Sequence, residues 1–256
     1  MALLHVEEAT KNYGGLIAIN KVKLKVAKDK ITGLIGPNGA GKTTLFNIIT
    51  GFANINSGQI IFKGENITGL PPYILASKGL VRTFQIVKLF KQMTVLENVM
   101  AGRYSKTKTE ILSAMLGASN VKKEEKDTKE KAFEILKELN LNNLSGIFAA
   151  NLSTGQQKIL EIARALACEP ELLMLDEPVA GLNSKEIESF IETLEILKKK
   201  GISIFLIEHN MKFVMGVTDF IYVLNFGKIL FQGTPKEITN NKDVINAYLG
   251  SDFNNA

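Results

Sequence analysis

The stretch Gly36-Pro37-Asn38-Gly39-Ala40-Gly41-Lys42-Thr43-Thr44 decides how this chain is read. It fits the spacing G-x-x-x-x-G-K-[ST]. Its context is the one that spacing needs: the apolar, strand-like run Ile31–Ile35 leads in, and the helix-like run Leu45–Thr50, stopped by Gly51, leads out. Glycines let the backbone turn so tightly that successive N–H groups face one concavity, which binds phosphate oxygens. A helix opening near Gly41 adds the positive end of its dipole. Lys42 is placed to neutralise the outer phosphates and the Thr43 hydroxyl to ligate Mg²⁺, so the loop predicts a bound nucleoside triphosphate.

A second segment, Leu172-Leu173-Met174-Leu175-Asp176-Glu177-Pro178, supplies the acidic partner. An apolar strand that ends in a carboxylate places it at the sheet's C-terminal edge, where open α/β sheets bind ligands. Asp176 is expected to hold Mg²⁺, through water. Glu177 is expected beside the terminal phosphate, where it takes a proton from, or orients, the attacking water. A third segment, Asn151-Leu152-Ser153-Thr154-Gly155-Gln156-Gln157, precedes the helix-like run Lys158–Ala167. Ser153 and the amides of Thr154–Gln156 open that helix and form a second anion site.

Composition sets the outer bounds. The chain has 256 residues, 31 Lys+Arg against 26 Asp+Glu, 45% apolar and 22% charged residues, which excludes wholesale disorder and fits a core with a smaller subdomain. Cys168 is the only cysteine, so no internal disulfide is possible. The start, MALLHVEEATKNY, lacks a basic segment followed by an apolar one, and no signal peptide is expected. The longest apolar runs, such as Leu172–Leu175 and Ile204–Ile207, fall far short of the ~20 residues that span a bilayer. The net charge of +5 sits largely in Lys106–Lys131 and Lys198–Lys200 and reads as a solvated face, with attraction to an anionic ligand or an anionic membrane surface as its other reading; no nucleic-acid partner is expected.

Outward from the phosphate loop, Leu3–Glu7 and Val22–Val26 alternate as half-buried strands do, Gly58–Lys63 gives another strand, and Pro71-Pro72 begins a further segment. Residues 103–130 read as a mobile loop or insertion, followed by an amphipathic helix through Ala132, Ile135, Leu136 and Leu139. The stretch 86–165 is the candidate helical subdomain, and 1–85 with 166–256 the candidate core of a single domain spanning 1–256. A helix between strands Leu172–Leu175 and Ile202–Ile207 has a capping box at Asn183 and Glu186, a stripe of Ile187, Phe190, Ile191, Leu194 and Leu197, and a stop at Gly201. Strand–helix–strand order with apolar strands argues a parallel sheet covered by helices. Phe220–Leu224 and Lys228–Phe231 read as a hairpin.

Ser153–Gln157 resembles the LSGGQ signature of the ATP-binding-cassette (ABC) ATPases, and it lies just before the acidic strand as in that family. Tyr13 matches the family's adenine-stacking aromatic, Gln85 its Q-loop glutamine and His209 its switch histidine. The resemblance covers essentially the whole chain. Val81-Arg82-Thr83-Phe84-Gln85, Met93-Thr94-Val95-Leu96-Glu97-Asn98, Ile207-Glu208-His209 and Ala247-Tyr248-Leu249-Gly250 look like the ATP-binding subunit of branched-chain amino-acid importers.

What the resemblance implies is an α/β P-loop NTPase core with a mostly parallel sheet, an amino-terminal antiparallel β subdomain and an inserted α-helical subdomain. It further implies Mg²⁺-dependent ATP hydrolysis by Glu177, His209 and Gln85, with metal contacts from Thr43, Gln85 and Asp176. ATP would be held by Tyr13, Gly36 to Thr44, and Ser153, Gly155 and Gln156. One phosphate loop and two phosphate sites make sense if the signature acts on ATP of a second subunit, in a homo- or heterodimer. Transmembrane permease subunits, indirectly a solute-binding protein, and a peripheral place on the cytoplasmic face of the membrane follow from the same resemblance. Tyr13 has packing against the sheet as its other reading. Phe84, Leu89, Phe90 and Met93 line either a groove for a membrane subunit or the core.

Two positions depart from the family pattern. Thr154 stands where glycine is usual and adds a Cβ and a hydroxyl near the expected γ-phosphate, which predicts altered affinity. Asn183 stands where the D-loop has aspartate and removes a charge from the link between two ATP sites. An ATPase of another transporter, such as one extracting lipopolysaccharide, shares these motifs. A non-transport ABC ATPase is the alternative of a different class; such proteins usually carry two cassettes or a long inserted coiled coil, and neither is visible in this sequence. A GTPase would carry a base-reading Asn-Lys-x-Asp, also lacking.

Overall fold

The apolar runs on either side of the phosphate loop and the acidic segment become neighbouring strands. A computed structural model describes residues 2–85, 87–103 and 119–252, with the side chains of 119–123 and 248–252 left aside. In chain order the elements are β1 (Ala2–Tyr13), β2 (Leu16–Ala27), β3 (Ile31–Ile35), α1 (Lys42–Ile49), β4 (Ser57–Phe62), β5 (Glu65–Asn66), α2 (Pro72–Ser77) and β6 (Leu80–Arg82). There follow α3 (Val95–Arg103), α4 (Ser119–Glu138), α5 (Thr154–Leu166), β7 (Leu172–Asp176), α6 (Ser184–Lys199), β8 (Ser203–Ile207) and α7 (Met211–Val217). The chain ends with β9 (Phe220–Asn225), β10 (Lys228–Gly233), α8 (Pro235–Thr239) and α9 (Lys242–Asp252). Two compact units result: Met1–Gln85 with Glu171–Ala180 and Leu197–Ala256, and Ile86–Pro170 with Gly181–Ile196.

The first unit holds two sheets. A four-stranded antiparallel sheet runs β2-β1-β4-β5, and a six-stranded sheet runs β10-β9-β3-β8-β7-β6, parallel except for the β9–β10 hairpin. Every residue of β3, β7 and β8 is buried, which is why these strands read as mostly apolar runs, with Thr32, Asp176 and Ser203 the polar residues in them. Ile207 pairs with Asp176, and also stands beside Leu34. The phosphate loop after β3 and the acidic end of β7 therefore leave the sheet at the same edge, one strand apart. The core between the sheets takes Leu4, Val6, Ile19 and Leu24 from the antiparallel side, Phe205, Ile207 and Leu224 from the parallel side, and Leu45, Phe46, Ile48 and Ile49 from α1. Tyr222 ties the two sheets: its hydroxyl accepts from Lys25 N at 2.9 Å and donates to Lys25 O at 3.0 Å. Burial pushes that phenol above its usual pKa.

In the second unit, α3, α4 and α5 pack through Val95, Val99, Ala132, Leu136, Leu160 and Ala163. Gly102 lets α3 lie against α5, because a Cβ there would stand 2.3 Å from Arg164 O. Asn98, fully buried, donates to the carbonyls of Phe90, Met93 and Thr94 and accepts from Phe90 N, fixing the segment that enters α3.

The expected strands, hairpin and helices are present, with two corrections. β1 and β2 are longer than the alternating stretches Leu3–Glu7 and Val22–Val26, because bulges at Glu8 (φ 49°) and Lys21 (φ 49°) shift the register and break the alternation. Residues 119–130 are helical rather than a loop; in that half of α4, Thr128 is buried while Glu125, Lys126, Asp127, Lys129 and Glu130 are exposed, so an apolar stripe had nothing to show. The rest of the expected loop, 104–118, lies outside the described residues.

Tyr222→Phe strands the Lys25 N–H and C=O where the two sheets meet. It is expected to lower stability by about 1–3 kcal/mol, read as a shift of the urea midpoint at unchanged slope.

Candidate functional site

The loop from Gly36 to Thr44 is pressed against backbone on two sides. At Gly36 (φ 154°) a Cβ would stand 2.1 Å from Leu224 O, and at Gly41 (φ 105°) one would stand 2.6 Å from Ala18 O, so neither position admits a side chain. Gly41 is the N-cap of α1 and carries no side-chain cap, which leaves the first amides of that helix to an incoming anion. Asn38, Gly39 and Thr43 are exposed along the rim, whereas Ala40 and Lys42 are buried. Lys42 Nζ donates to Gly36 O at 2.7 Å and Pro37 O at 3.0 Å, so the ammonium lies folded into its own loop. Burial lowers its pKa, and the carboxylates of Glu177 and Asp176 act against that shift.

Asp176 ends β7 with 6% of its surface exposed, its Oδ2 accepting from Arg82 Nη2 at 2.7 Å. Glu177 follows in the left-handed region (φ 46°), costly for a side chain with a Cβ, and its N–H donates to Ile207 O at 3.0 Å. Glu177 Oε2 accepts from Gln85 Nε2 at 2.6 Å and lies 3.8 Å from His209 Nδ1. Three side chains from the ends of three parallel strands, β6, β7 and β8, thus meet at one carboxylate oxygen. His209 is 62% exposed and Glu177 24%, so the cluster opens to solvent.

Beneath this cluster lies Glu208, fully buried. Its Oε1 accepts from Val179 N at 2.9 Å, and its Oε2 from His209 N at 3.0 Å and Asn210 N at 3.2 Å. It clamps the loop after β7 to the loop after β8. No sequence motif points to this role or to that of Arg82; a charged residue on the end of a wholly buried strand is the signal available for Glu208.

Tyr13 closes β1 at the hairpin tip, 49% exposed, with Lys11 Nζ 4.8 Å above its ring. From the same hairpin, Ala18 and Ile19 touch the phosphate loop at Gly41. In the second unit, Phe90 and Met93 are 50% and 41% exposed, which removes the core-packing reading for both.

Ser153, Gly155 and Gln156 also belong to the second unit. Ser153 is the N-cap of α5, its Oγ accepting from Gln156 N at 3.3 Å while Ser153 N donates to Gln156 Oε1 at 3.0 Å. Glu186 reaches onto the same helix end: its Oε1 accepts from Gly155 N at 3.0 Å and Ser153 Oγ at 3.3 Å. Its Oε2 accepts from Asn183 N at 3.1 Å, and Glu186 N donates back to Asn183 Oδ1, the expected capping box of α6. The amides of Asn183 and then Gly155 hold this carboxyl below its ordinary pKa, with a further contribution from Ser153.

A glycine loop between a buried parallel strand and a helix, an acidic strand end one strand away, an antiparallel sheet over the core and a helical unit with a serine-capped helix together define an ATP-binding-cassette fold. The chain belongs to the ABC transporter family, whose model matches residues 19–180, and it is one of that family's ATPases. A second family model, branched-chain amino acid ATP-binding cassette transporter, matches residues 228–254. The chain is 44% identical over 249 residues to the high-affinity branched-chain amino acid transport ATP-binding protein LivG of Escherichia coli (strain K12), covering 97% of this chain and 98% of that protein. It is 41% identical over 251 residues to the probable branched-chain amino acid transport ATP-binding protein LivG of Archaeoglobus fulgidus, covering 98% and 96%. The ADP conformation of a solved ATP-binding cassette of an ABC transporter superposes with a TM-score of 0.86 at 37% identity, covering 98% of this chain and 99% of that one.

Glu208→Gln replaces an acceptor-only carboxylate with a group that has one acceptor oxygen, so at least one buried amide loses its partner. The variant is expected to lose about 1–3 kcal/mol, seen as a lower melting temperature in calorimetry.

Proposed function

We propose that this chain powers an importer of branched-chain amino acids by hydrolysing ATP at the cluster around Glu177. The observation that carries the chemistry is Glu177 itself, at the mouth of the phosphate-loop edge with Gln85 at 2.6 Å and His209 at 3.8 Å. The amino-acid substrate rests on relatives that cover nearly the whole chain and bear that name.

In this reading the amides of Gly39 to Thr44 and the Lys42 ammonium take the phosphates, with phosphate oxygens replacing the carbonyls of Gly36 and Pro37 as acceptors for Nζ. Tyr13 offers an exposed ring on which adenine stacks. Water attacks the γ-phosphorus in line with the bond to the bridging β–γ oxygen. That bond breaks, ADP leaves with the electron pair, and the water proton passes to Glu177. Gln85 and His209 orient the Glu177 carboxylate and the water. Thr43, Asp176 and Gln85 are an all-oxygen donor set suited to a hard cation, and among the described residues no cluster of three His, Cys, Asp or Glu side chains competes with it. Mg²⁺ there would neutralise charge on the phosphates and would be completed by phosphate oxygens and water.

Ser153, Gly155 and Gln156 act on the ATP of a second subunit, identical or related, and ATP closes the pair because its γ-phosphate is gripped from both sides. Hydrolysis removes those differential contacts. Among the described residues no helix is long and apolar enough to cross a membrane, so passage of the solute falls to permease subunits. A hollow of about 250 Å³ lined by Phe52, Tyr73, Leu75, Ala76 and Phe84, next to Gln85 in sequence, is the apolar surface offered to them, with Phe52 and Tyr73 53% and 73% exposed. The cytoplasmic face of the membrane, and indirectly a solute-binding protein outside it, complete the assembly.

Glu177→Gln is expected to retain ATP binding and to lose about 10²-fold or more in turnover; near-normal phosphate release in that variant defeats the assignment. Lys42→Ala is expected to weaken nucleotide binding itself, measured by calorimetry, and an unchanged affinity counts against the loop. Solute-stimulated ATPase activity of the chain co-purified with its permease subunits, tested with leucine, isoleucine and valine, decides the substrate class.

A further inference from the structure

Arg82 is used by none of the steps above, yet it is built into the site. Its side chain is 5% exposed. Nη2 donates to Asp176 Oδ2 at 2.7 Å, and Nη1 to Asn47 Oδ1 at 2.7 Å and Thr50 Oγ1 at 3.1 Å. Asn47 lies in α1 and Thr50 is its C-cap, so the guanidinium joins the far end of the phosphate-loop helix to the end of β7. The rings of Phe46, Phe52 and Phe84 stand 5.7, 5.7 and 5.2 Å from its central carbon and hold the plane of the fork. Nε is buried with no partner among the described residues, an unmet cost that the other bonds have to offset.

The geometry points to Arg82 as a positioning residue that orients the Asp176 carboxylate for Mg²⁺ and keeps it in register with the phosphate loop. A buried ion pair returns little net stability once both charges have been desolvated. Hydrogen bonds made to a metal carboxylate from outside the coordination sphere, by contrast, change metal affinity by about 10–100-fold. A carboxylate has two oxygens and about four lone-pair sites, so the bond to Arg82 does not exhaust Asp176. A planar fork places its donors on separate nitrogens in a fixed geometry, so one edge serves Asp176 while another serves Asn47 and Thr50; a lysine ammonium gathers its donors on one nitrogen at the end of a flexible stem. Arg82 stands three residues before Gln85 in the same segment, so the placement of Asp176 is tied to the strand that delivers Gln85 to Glu177.

The inference rests on Asp176 serving as a metal carboxylate, and its test separates the two. ATP binding is measured by calorimetry at graded free Mg²⁺, and again in EDTA, in the hydrolysis-blocked Glu177→Gln protein and in the same protein carrying Arg82→Lys or Asn47→Ala. Asn47→Ala loosens the fork without stranding a buried charge, and circular dichroism melts confirm that each variant is folded. Arg82→Lys is expected to raise the half-saturating Mg²⁺ about 10-fold, Asn47→Ala less, with affinity in EDTA changed by no more than about twofold. An unchanged Mg²⁺ requirement in folded variants overturns the role. So does a lower requirement, which a guanidinium merely competing with the metal would give, and so does an equal loss with and without Mg²⁺, the mark of a purely structural pair. A Glu177→Gln protein whose ATP binding ignores Mg²⁺ overturns the metal reading of Asp176, and this inference with it.

Discussion

The phosphate loop exists because no side chain fits between β3 and its neighbours at Gly36 and Gly41. Leu224 O and Ala18 O would each lie within 2.6 Å of an added Cβ, so the loop is set by close backbone approach from β9 on one side and β2 on the other. That approach has two effects. It turns the chain sharply enough to leave the first amides of α1 without partners, and it drives Leu45, Phe46, Ile48 and Ile49 of the same helix into the core. Anion site and core packing are thus one construction, and loosening either loosens both.

Charge follows from that placement. Lys42 and Arg82, whose side chains are both buried, flank Asp176 and Glu177 at the end of β7, and each donates to partners within the chain. Burial lowers the Lys42 pKa while Glu177 and Asp176 act against that shift. On the reading proposed above, entering phosphates supply the strong negative charge that this arrangement of an inward-folded ammonium and open amides is prepared for. The low dielectric around buried groups makes that attraction larger than the same charges would have in water.

The strand-to-helix loop, the acidic strand end and the serine-led helix are legible in the sequence because each rests on local chemistry: glycine where only glycine fits, an apolar run that stops at a carboxylate, a serine at the start of a helix. What was not legible rests on contacts distant in sequence or on a broken period. The bulges at Glu8 and Lys21 hide half of the amino-terminal hairpin from any test of alternation. The exposed start of α4 carries Lys and Glu where a stripe was sought. Arg82 sits in a three-residue strand, β6, and its partners Asn47, Thr50 and Asp176 come from other segments, so nothing near it in sequence announces them. Glu208 stood in plain sight beside His209, and only its complete burial shows that it braces the cluster rather than joining it.

The phosphate loop and the serine-capped helix end share a feature that bears on the proposed use of ATP. Each is satisfied internally: Lys42 by the carbonyls of Gly36 and Pro37, and the Ser153–Gly155 helix end by the Glu186 carboxylate. A γ-phosphate arriving at that helix end, as proposed, meets a negative charge already bonded to the same amide and hydroxyl, so contact requires Glu186 to yield. Thr154, exposed beside them, adds bulk at the same place. On the proposed reading, the closed pair is favoured only while a more highly charged group than a carboxylate is present. When the phosphate leaves, Glu186 has its donors within reach again. A ligand shifts an equilibrium only by its differential affinity for the two states, so on that reading the bonds to Glu186 that closure breaks are subtracted from what the phosphate gains.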